Sequence, residues 1–193
     1  MSELDIALSV ALGVGLAAAT GFRVFLPLLV LSTSAHWGYL PLSQGFAWLG
    51  TTSALAMLAV ATLIEILAYY IPGVDNLLDT LATPAAVIAG IVISAAAMTD
   101  LPPMLKWTLA IIAGGGVAGL TQGATALLRA HSTAFTAGLG NPVVATAELG
   151  GSLIISLLAL VAPVVALAVV VVFCWLALRL VRRLTRREIP PSR

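Results

Sequence analysis

The chain has 193 residues, of which 61% are hydrophobic and only 9% are charged, and its net charge is +1. An ordinary soluble domain is near a quarter charged, so this composition excludes a soluble globular protein and indicates a polytopic membrane protein. The apolar runs are long and continuous, and about 20 apolar residues let one helix cross a bilayer. We therefore predict an all-α membrane helix bundle with about six transmembrane helices.

The first apolar run covers residues 4–32, which is longer than one straight span requires, and it is interrupted by Thr20, Gly21 and Pro27. The run begins with acidic residues and no basic ones, so we interpret it as a retained span and not as a secretory signal. Two arrangements stay open: a kinked or broken single span, and a re-entrant pair of helices. A re-entrant pair would make the number of spans odd and would move the amino terminus to the other side of the membrane.

Five further spans follow, and turn-forming residues separate them. We predict them at about 51–71, 82–98, 104–130, 142–161 and 164–180. Proline cannot continue a helix and glycine turns freely, so Pro72-Gly73 and Gly140-Asn141-Pro142 are predicted as flexible joints. The spans form a single transmembrane domain over residues 1–181, and residues 182–193 form a basic tail.

The carboxyl-terminal stretch RLVRRLTRREIPPSR holds six of the nine basic residues. Basic residues beside spans stay on the cytoplasmic side, so we predict an inner-membrane protein with a cytoplasmic carboxyl terminus. Six spans would place the amino terminus on that side too. Next to a span, the tail is expected to attract anionic lipid, and we expect no nucleic-acid partner.

The chain also divides into two halves, about residues 1–99 and 104–181, of about three spans each. An odd number of spans in each half would make the halves inverted repeats, the plan of many secondary transporters. Each half has a small-residue helix that reaches an arginine, Arg23 or Arg129, and then a span with one glutamate, Glu65 or Glu148. The alternative is that such residues are scattered by chance.

Glu65 and Glu148 stand inside apolar spans. An ionisable group at membrane depth costs about 2.5–3.5 kcal/mol, so it usually faces the bundle interior and has a partner. Residues three and four positions away share the glutamate's helix face, and most of them are small or polar. They are Ala61, Thr62, Ala68 and Tyr69 for the first glutamate, and Val144, Ala145, Gly151 and Ser152 for the second. Both glutamates are therefore predicted to face inward.

Arg129, at the end of the fourth span, is predicted to be the countercharge of both glutamates in a cluster that opens toward the cytoplasm. Two carboxylates against one arginine would leave one carboxylate able to hold a proton. The mouth of the cluster is predicted to be formed by Asp75, Asn76, Asp79, Ser132, Thr133 and Asn141. The alternative is a purely structural ion pair, with Arg129 at the inner interface because of the positive-inside rule.

Arg23 has two alternative positions. If the first helix is straight, Arg23 lies at the membrane boundary, where a basic side chain is ordinary. If the helix breaks at Thr20-Gly21, Arg23 is carried to mid-membrane beside the exposed amide groups of the following half-helix. There it would form an anion site, because the amino end of a broken helix presents donors and positive dipole.

Gly115, Gly119 and Gly123 recur along one face of the fourth span. Such faces let membrane helices approach closely, either within the subunit or in a homo-oligomer. His36 and His131 show no metal-ligand spacing, and no nucleophile or phosphate-binding motif is present. We therefore expect no enzyme activity, no metal site and no cofactor.

Three motifs resemble those of a family of small bacterial integral-membrane proteins that is catalogued only as a domain of unknown function. They are GFRVFLPLL at residues 21–29, E-x6-PGVDNLLDT from Glu65, and ST-x2-TAGLGNP-x5-E from Ser132. The resemblance spans most of the chain, and it implies a membrane protein without implying an activity.

From these residues we predict a small secondary transporter or permease-like protein for a small anionic or amphiphilic substrate. Glu65 and Glu148 would be proton or cation sites, Arg129 their countercharge, and Arg23 an anion contact. The first alternative is a membrane scaffold or assembly partner in which the same charges form structural ion pairs. An intramembrane enzyme is the third interpretation.

Overall fold

All regular structure in the described residues of the computed structural model, 3–71, 74–99 and 101–187, is helical. A short 3-10 helix, Ala47–Gly50, precedes the third helix, and one π-helical turn, Ala110–Gly115, joins the fifth and sixth into one rod. The α-helices are α1 (Glu3–Thr20), α2 (Phe25–His36), α3 (Thr52–Ala68), α4 (Val74–Ala97), α5 (Pro103–Leu109), α6 (Gly116–Thr136), α7 (Asn141–Val161) and α8 (Pro163–Arg187). The predicted all-α fold is confirmed.

Four helical segments in the described chain are long and apolar enough to cross a membrane: α1, Thr80–Ala97 of α4, the rod Pro103–Thr136, and α7. Three shorter apolar helices, α2, α3 and Pro163–Arg179 of α8, accompany them. Large apolar side chains lie on the outside of the bundle, since Ile112 is 71% exposed and Val161 85%. An apolar exterior of this kind matches lipid, so the chain is a polytopic membrane protein.

α1 runs antiparallel to α4, as two interhelical hydrogen bonds show. Ser94 Oγ, near the end of α4, donates to Gly13 O over 2.9 Å. Thr20 Oγ1, at the end of α1, donates to Ala86 O nearer the middle of α4, over 3.3 Å. α1 therefore begins at the end of the bundle where α4 finishes.

α2 turns back and runs antiparallel to α3. At its start, Val24 N donates to Glu65 near the end of α3, over 2.7 Å. At its end, His36 Nδ1 lies 2.9 Å from Gly50 O, just before α3 begins. The first apolar run is thus a pair of oppositely directed helices, which is the re-entrant alternative.

The described helical rods consequently alternate in direction along the chain, with α5 and α6 counted as one rod. The Trp37 end of the bundle holds the loop after α2 and the end of α4, and the Leu139 end holds the turn between α6 and α7. α1 starts at the Trp37 end and α8 finishes at the Leu139 end. Among the described residues this arrangement corresponds to the re-entrant alternative, with an odd number of helical rods, and it differs from the six-span arrangement because α2 is a separate helix that returns along the bundle.

α1 is the central helix of the bundle. Every residue from Ala11 to Thr20 is buried, and α4, α6, α7 and α8 surround it. Small residues make this possible: a Cβ on Gly15 would lie 3.0 Å from Ala159 Cβ. Serine and threonine hydroxyls bond backbone carbonyls across the helices, as Ser152 Oγ does to Ala19 O over 3.1 Å. Close approach of small residues with interhelical hydrogen bonds is what drives helix association in lipid.

The glycine face of the fourth predicted span packs partly within the subunit. A Cβ on Gly115 would lie 2.8 Å from the Ile91 side chain, and one on Gly119 would lie 3.1 Å from Val87, both in α4. A Cβ on Gly123 would meet no atom within 4 Å. Gly115 and Gly119 are therefore explained by α4 packing, and a homo-oligomer stays a prediction.

The π-helical turn sits where the rod crosses α4. A Cβ on Gly114 would lie 2.3 Å from Ser94 Oγ, so only glycine fits at this crossing. Before the turn, Lys106 Nζ donates to Ser43 Oγ over 2.8 Å. After the turn, Arg129 lies in the bundle interior and is 2% exposed. A π turn contains one more residue than an α turn, so it sets the relative rotation of the two rod segments.

Candidate functional site

The site is built around the break between α1 and α2. α1 ends at Thr20 and α2 begins at Phe25, so the helix breaks at Thr20-Gly21, which is the second of the two alternatives for Arg23. A Cβ on Gly21 would lie 2.4 Å from Thr121 Cβ and 2.5 Å from Ala118 O, so glycine lets this turn press against α6. The break carries Arg23 into the bundle interior, where it is only 1% exposed.

Glu65 comes from the inward face of α3. Thr62, Glu65 and Tyr69 are buried, whereas Ile64 is 61% exposed and Leu67 57%, so the predicted inward orientation is confirmed. Each oxygen of the Glu65 carboxylate accepts one backbone hydrogen bond from the start of α2. Val24 N donates to Oε1 over 2.7 Å and Phe25 N donates to Oε2 over 3.1 Å. The first amides of a helix have no intrahelical acceptor and favour negative charge, so Glu65 caps α2 from a different helix.

Glu148 lies between two arginines. It belongs to the buried face of α7, with Ala145 and Ser152 one turn to either side. Arg129 Nη2 donates to Glu148 Oε2 in a buried ion pair. Arg23 Nη2 lies 3.7 Å from the same oxygen and donates to the carbonyl of Ala145 over 2.8 Å. One carboxylate oxygen thus balances two guanidinium groups.

Tyr69 completes the cluster from the end of α3. The guanidinium carbon of Arg23 lies 3.9 Å from the centre of the tyrosine ring, and that of Arg129 lies 4.4 Å away. The ring face carries negative potential, and away from water a cation over it gains about 2 kcal/mol. Because the cations of Arg23 and Arg129 would otherwise repel, the ring and Glu148 together hold them side by side.

Two apolar cavities flank the tip of the α1–α2 hairpin. One, of about 460 Å³, lies beside α3 and α4 and is reached by Val24, Phe25, Glu65 and Tyr69. The other, of about 400 Å³, lies among α6, α7 and α8 and is lined by Phe22 and Glu148, with further apolar residues. Arg23 sits in the chain between the residues that line the two cavities.

Both cavities open through the side of the bundle. Ile64 and Leu81 line the first cavity and are 61% and 62% exposed. Leu128 and Leu176 line the second and are 57% and 50% exposed. The rims of both cavities are therefore apolar and lie on the outer surface of the bundle.

A family model, the domain of unknown function DUF4126, matches residues 10–183. The chain belongs to this family. The predicted resemblance to a family catalogued as a domain of unknown function is therefore confirmed. No curated protein and no solved structure matches the chain.

In this DUF4126 chain the structure brings together Arg23, Arg129 and Glu148, with Glu65 beside them. Arg129 pairs with Glu148, while Glu65 is held by the amides of α2 and is attracted electrostatically by Arg23. The sequence predicts Arg23 as an anion contact beside free amides at the start of α2. In the structure these amides are not free, because they donate to the carboxylate of Glu65.

The predicted mouth residues have a local role where the structure describes them. Asn141 Nδ2 donates to Thr133 Oγ1 over 3.0 Å, and Thr136 Oγ1 donates to the carbonyl of Ser132 over 2.7 Å. The first contact joins the start of α7 to α6 at the Leu139 end, and the second lies within α6. The side chains of Asp75, Asn76 and Asp79, the Pro72-Gly73 joint and the side chains of the basic tail lie outside the described residues.

Sequence reasoning missed two parts of the site. Tyr69 was placed on the Glu65 face by its spacing, but it was not assigned to the cluster. The signal is an aromatic ring one turn from a buried carboxylate, in a chain with two arginines predicted near that carboxylate. The break predicts exposed amides at the start of α2, but nothing in the sequence indicates that Glu65 is their acceptor, because every residue except proline carries a backbone donor.

Proposed function

We propose that this protein is a small secondary transporter or permease-like protein for a small anionic or amphiphilic substrate. The observation that carries the proposal is the position of the Arg23–Arg129–Glu148 cluster between two apolar cavities, each of which reaches one glutamate. Burying four ionisable groups in a bundle of this size is costly, and such groups mark substrate or ion pathways. No enzymatic step is part of the proposal.

The residues have distinct roles in this function. Arg23 and Arg129 provide the positive charge that attracts an anion, and Glu148 balances them when the site is empty. Glu65 and Glu148 take up protons when the substrate replaces their interactions, which couples the substrate to a proton. The lateral cavities give the apolar part of the substrate a path from the bilayer to the charged cluster.

Purified protein in proteoliposomes tests the proposal. An imposed proton gradient and an internal pH-sensitive dye report proton flux, and wild-type vesicles are expected to exceed protein-free vesicles. Glu65→Gln and Glu148→Gln are each expected to reduce the flux by about tenfold or more, because each removes a proton site. Equal flux in the wild type and both variants would contradict proton coupling.

A membrane scaffold is the second candidate, and the direct contact between Arg129 and Glu148 favours it. Charges that neutralise each other inside a bundle can serve only to fix helix positions. In that case proteoliposomes would conduct no more protons than protein-free vesicles, and Glu148→Gln would change only stability.

A further inference from the structure

We propose that the amino end of α2 binds the carboxylate head of a single-chain amphiphile, and that Glu65 is a tethered ligand that this carboxylate displaces. The inference rests on the proposed function, because it names a substrate class for the same site. It assigns Glu65 the role of an internal competitor, in addition to its role as a proton site.

The recognition geometry is that of a bound carboxylate. The two oxygens of Glu65 each accept one hydrogen bond, at 2.7 Å and 3.1 Å, from consecutive backbone amides. The carboxylate belongs to a different helix, α3: Glu65 is 41 residues from Val24 and 40 residues from Phe25 along the chain. A free carboxylate presents the same two acceptors, so it can take the same place.

Arg23, the residue before these amides in the chain, has buried donors without a partner. Its Nε and Nη1 atoms are buried and have no hydrogen-bond partner among the described residues. A buried donor without an acceptor costs about 1–3 kcal/mol, so an incoming acceptor that reached these atoms would gain that interaction. Arg23 also attracts the Glu65 carboxylate electrostatically and stacks on Tyr69, which lines the adjoining cavity. An anion at the amides would therefore be attracted by Arg23, the residue just before them in the chain, as the Glu65 carboxylate is.

The cavity beside Glu65 defines the rest of the ligand. Its volume of about 460 Å³ is in the range of ligand pockets, and apolar side chains form nearly all of its wall. At roughly 30 Å³ for a group the size of a water molecule, it holds about fifteen methylene groups. With the head at Val24 and Phe25, the alkyl chain lies along the cavity toward Ile64 and Leu81, where it meets lipid.

The test uses purified full-length protein in a nonionic detergent, with dodecanoate as the probe and dodecanol as its uncharged control. The unfolding midpoint is followed against probe concentration. In the wild type, dodecanoate has to displace Glu65. Glu65→Gln removes the competing charge, so dodecanoate is expected to bind about tenfold more tightly than to the wild type. Dodecanol is expected to shift both proteins equally.

A second pair of variants tests the cavity with the charge unchanged. Ala61→Phe fills the cavity, and Leu63→Phe on the outward face of α3 is the matched control. Ala61→Phe is expected to abolish the response to dodecanoate in the wild-type and Glu65→Gln backgrounds, and Leu63→Phe is expected to retain it. Equal dodecanoate affinity in the wild type and Glu65→Gln, or an unchanged response in Ala61→Phe, would overturn the inference. Tight binding without proteoliposome flux would instead contradict transport alone.

Discussion

At the scale of single residues, each member of the charged cluster contacts two others. Glu148 Oε2 contacts both Arg23 and Arg129, and both guanidinium groups lie over Tyr69. Because each member serves two partners, the loss of one member leaves more than one charge without its balance. Removing one partner of a buried ion pair costs about 3–5 kcal/mol, mostly as the penalty of the charge left behind.

Glu148→Gln is expected to lower the free energy of unfolding by about 3–5 kcal/mol. Arg129→Gln is expected to cost less, because Arg23 stays close to Glu148. The double variant is expected to lose less than the sum of the single losses, by about 1–3 kcal/mol. Denaturant unfolding in detergent measures all three, and additive losses would contradict direct coupling.

Tyr69 has a matched neighbour for a second prediction. Tyr69 is 4% exposed and Tyr70 is 39% exposed, where its hydroxyl lies 2.9 Å from Thr146 Oγ1. Tyr69→Leu removes the ring from two cations and is expected to cost about 2 kcal/mol or more. Tyr70→Leu is expected to cost less than about 1 kcal/mol. Thermal unfolding distinguishes them, and similar losses would argue against the cation contacts.

At the scale of helices, the break after α1 is the decisive element. It frees the amides that Glu65 binds, and it exists because Gly21 has no side chain to collide with α6. A longer side chain at this position would push α1 away from α6 and move Arg23 with it.

Gly21→Ala is expected to destabilise the protein by about 3 kcal/mol, since its Cβ would overlap Thr121 and the Ala118 carbonyl. Gly123→Ala is the control, because a Cβ there meets no atom within 4 Å in the interior of α6. This control is expected to be neutral or to stabilise by about 0.5–1 kcal/mol. If Gly21→Ala unfolds at the wild-type temperature, the turn does not pack as described.

Most helices were predictable from the sequence, and the direction of the second one was not. Apolar runs and prolines located the helices, and Thr20-Gly21 located the break. Hydropathy does not report the direction in which a helix runs. A kinked span and a pair of antiparallel helices therefore give the same apolar pattern. The inward-facing sides of α3 and α7 could be predicted from the residues spaced around Glu65 and Glu148. The partner of Glu65 could not be predicted, because its donors are backbone amides that become exposed only where the chain turns.

At the scale of the whole molecule, alternating helices place the start of α1 and the end of α8 at opposite ends of the bundle. The basic tail still predicts a cytoplasmic carboxyl terminus. An amino terminus on the opposite side then follows, in contrast to the six-span arrangement.

Single cysteines test this topology. With Cys174 replaced by serine, Tyr39→Cys and Leu139→Cys place thiols at the two ends, at positions that are 84% and 86% exposed. A membrane-impermeant maleimide added outside cells is expected to label Tyr39→Cys only, and Leu139→Cys only after lysis. An epitope at the amino terminus is expected to be accessible to antibody from outside the cells, on the same side as the thiol of Tyr39→Cys. Labelling of both thiols from one side would refute the alternating arrangement.

The π-helical turn at Ala110–Gly115 also limits how this rod can change by insertion or deletion. Each residue advances an α-helix by about 100°, so deleting one residue there would convert the turn to regular α-helix and rotate one rod segment against the other by that angle. Lys106 would then leave Ser43, or Arg129 would swing away from Glu148. The number of residues in this turn is therefore expected to be fixed, as is the glycine at its crossing with α4.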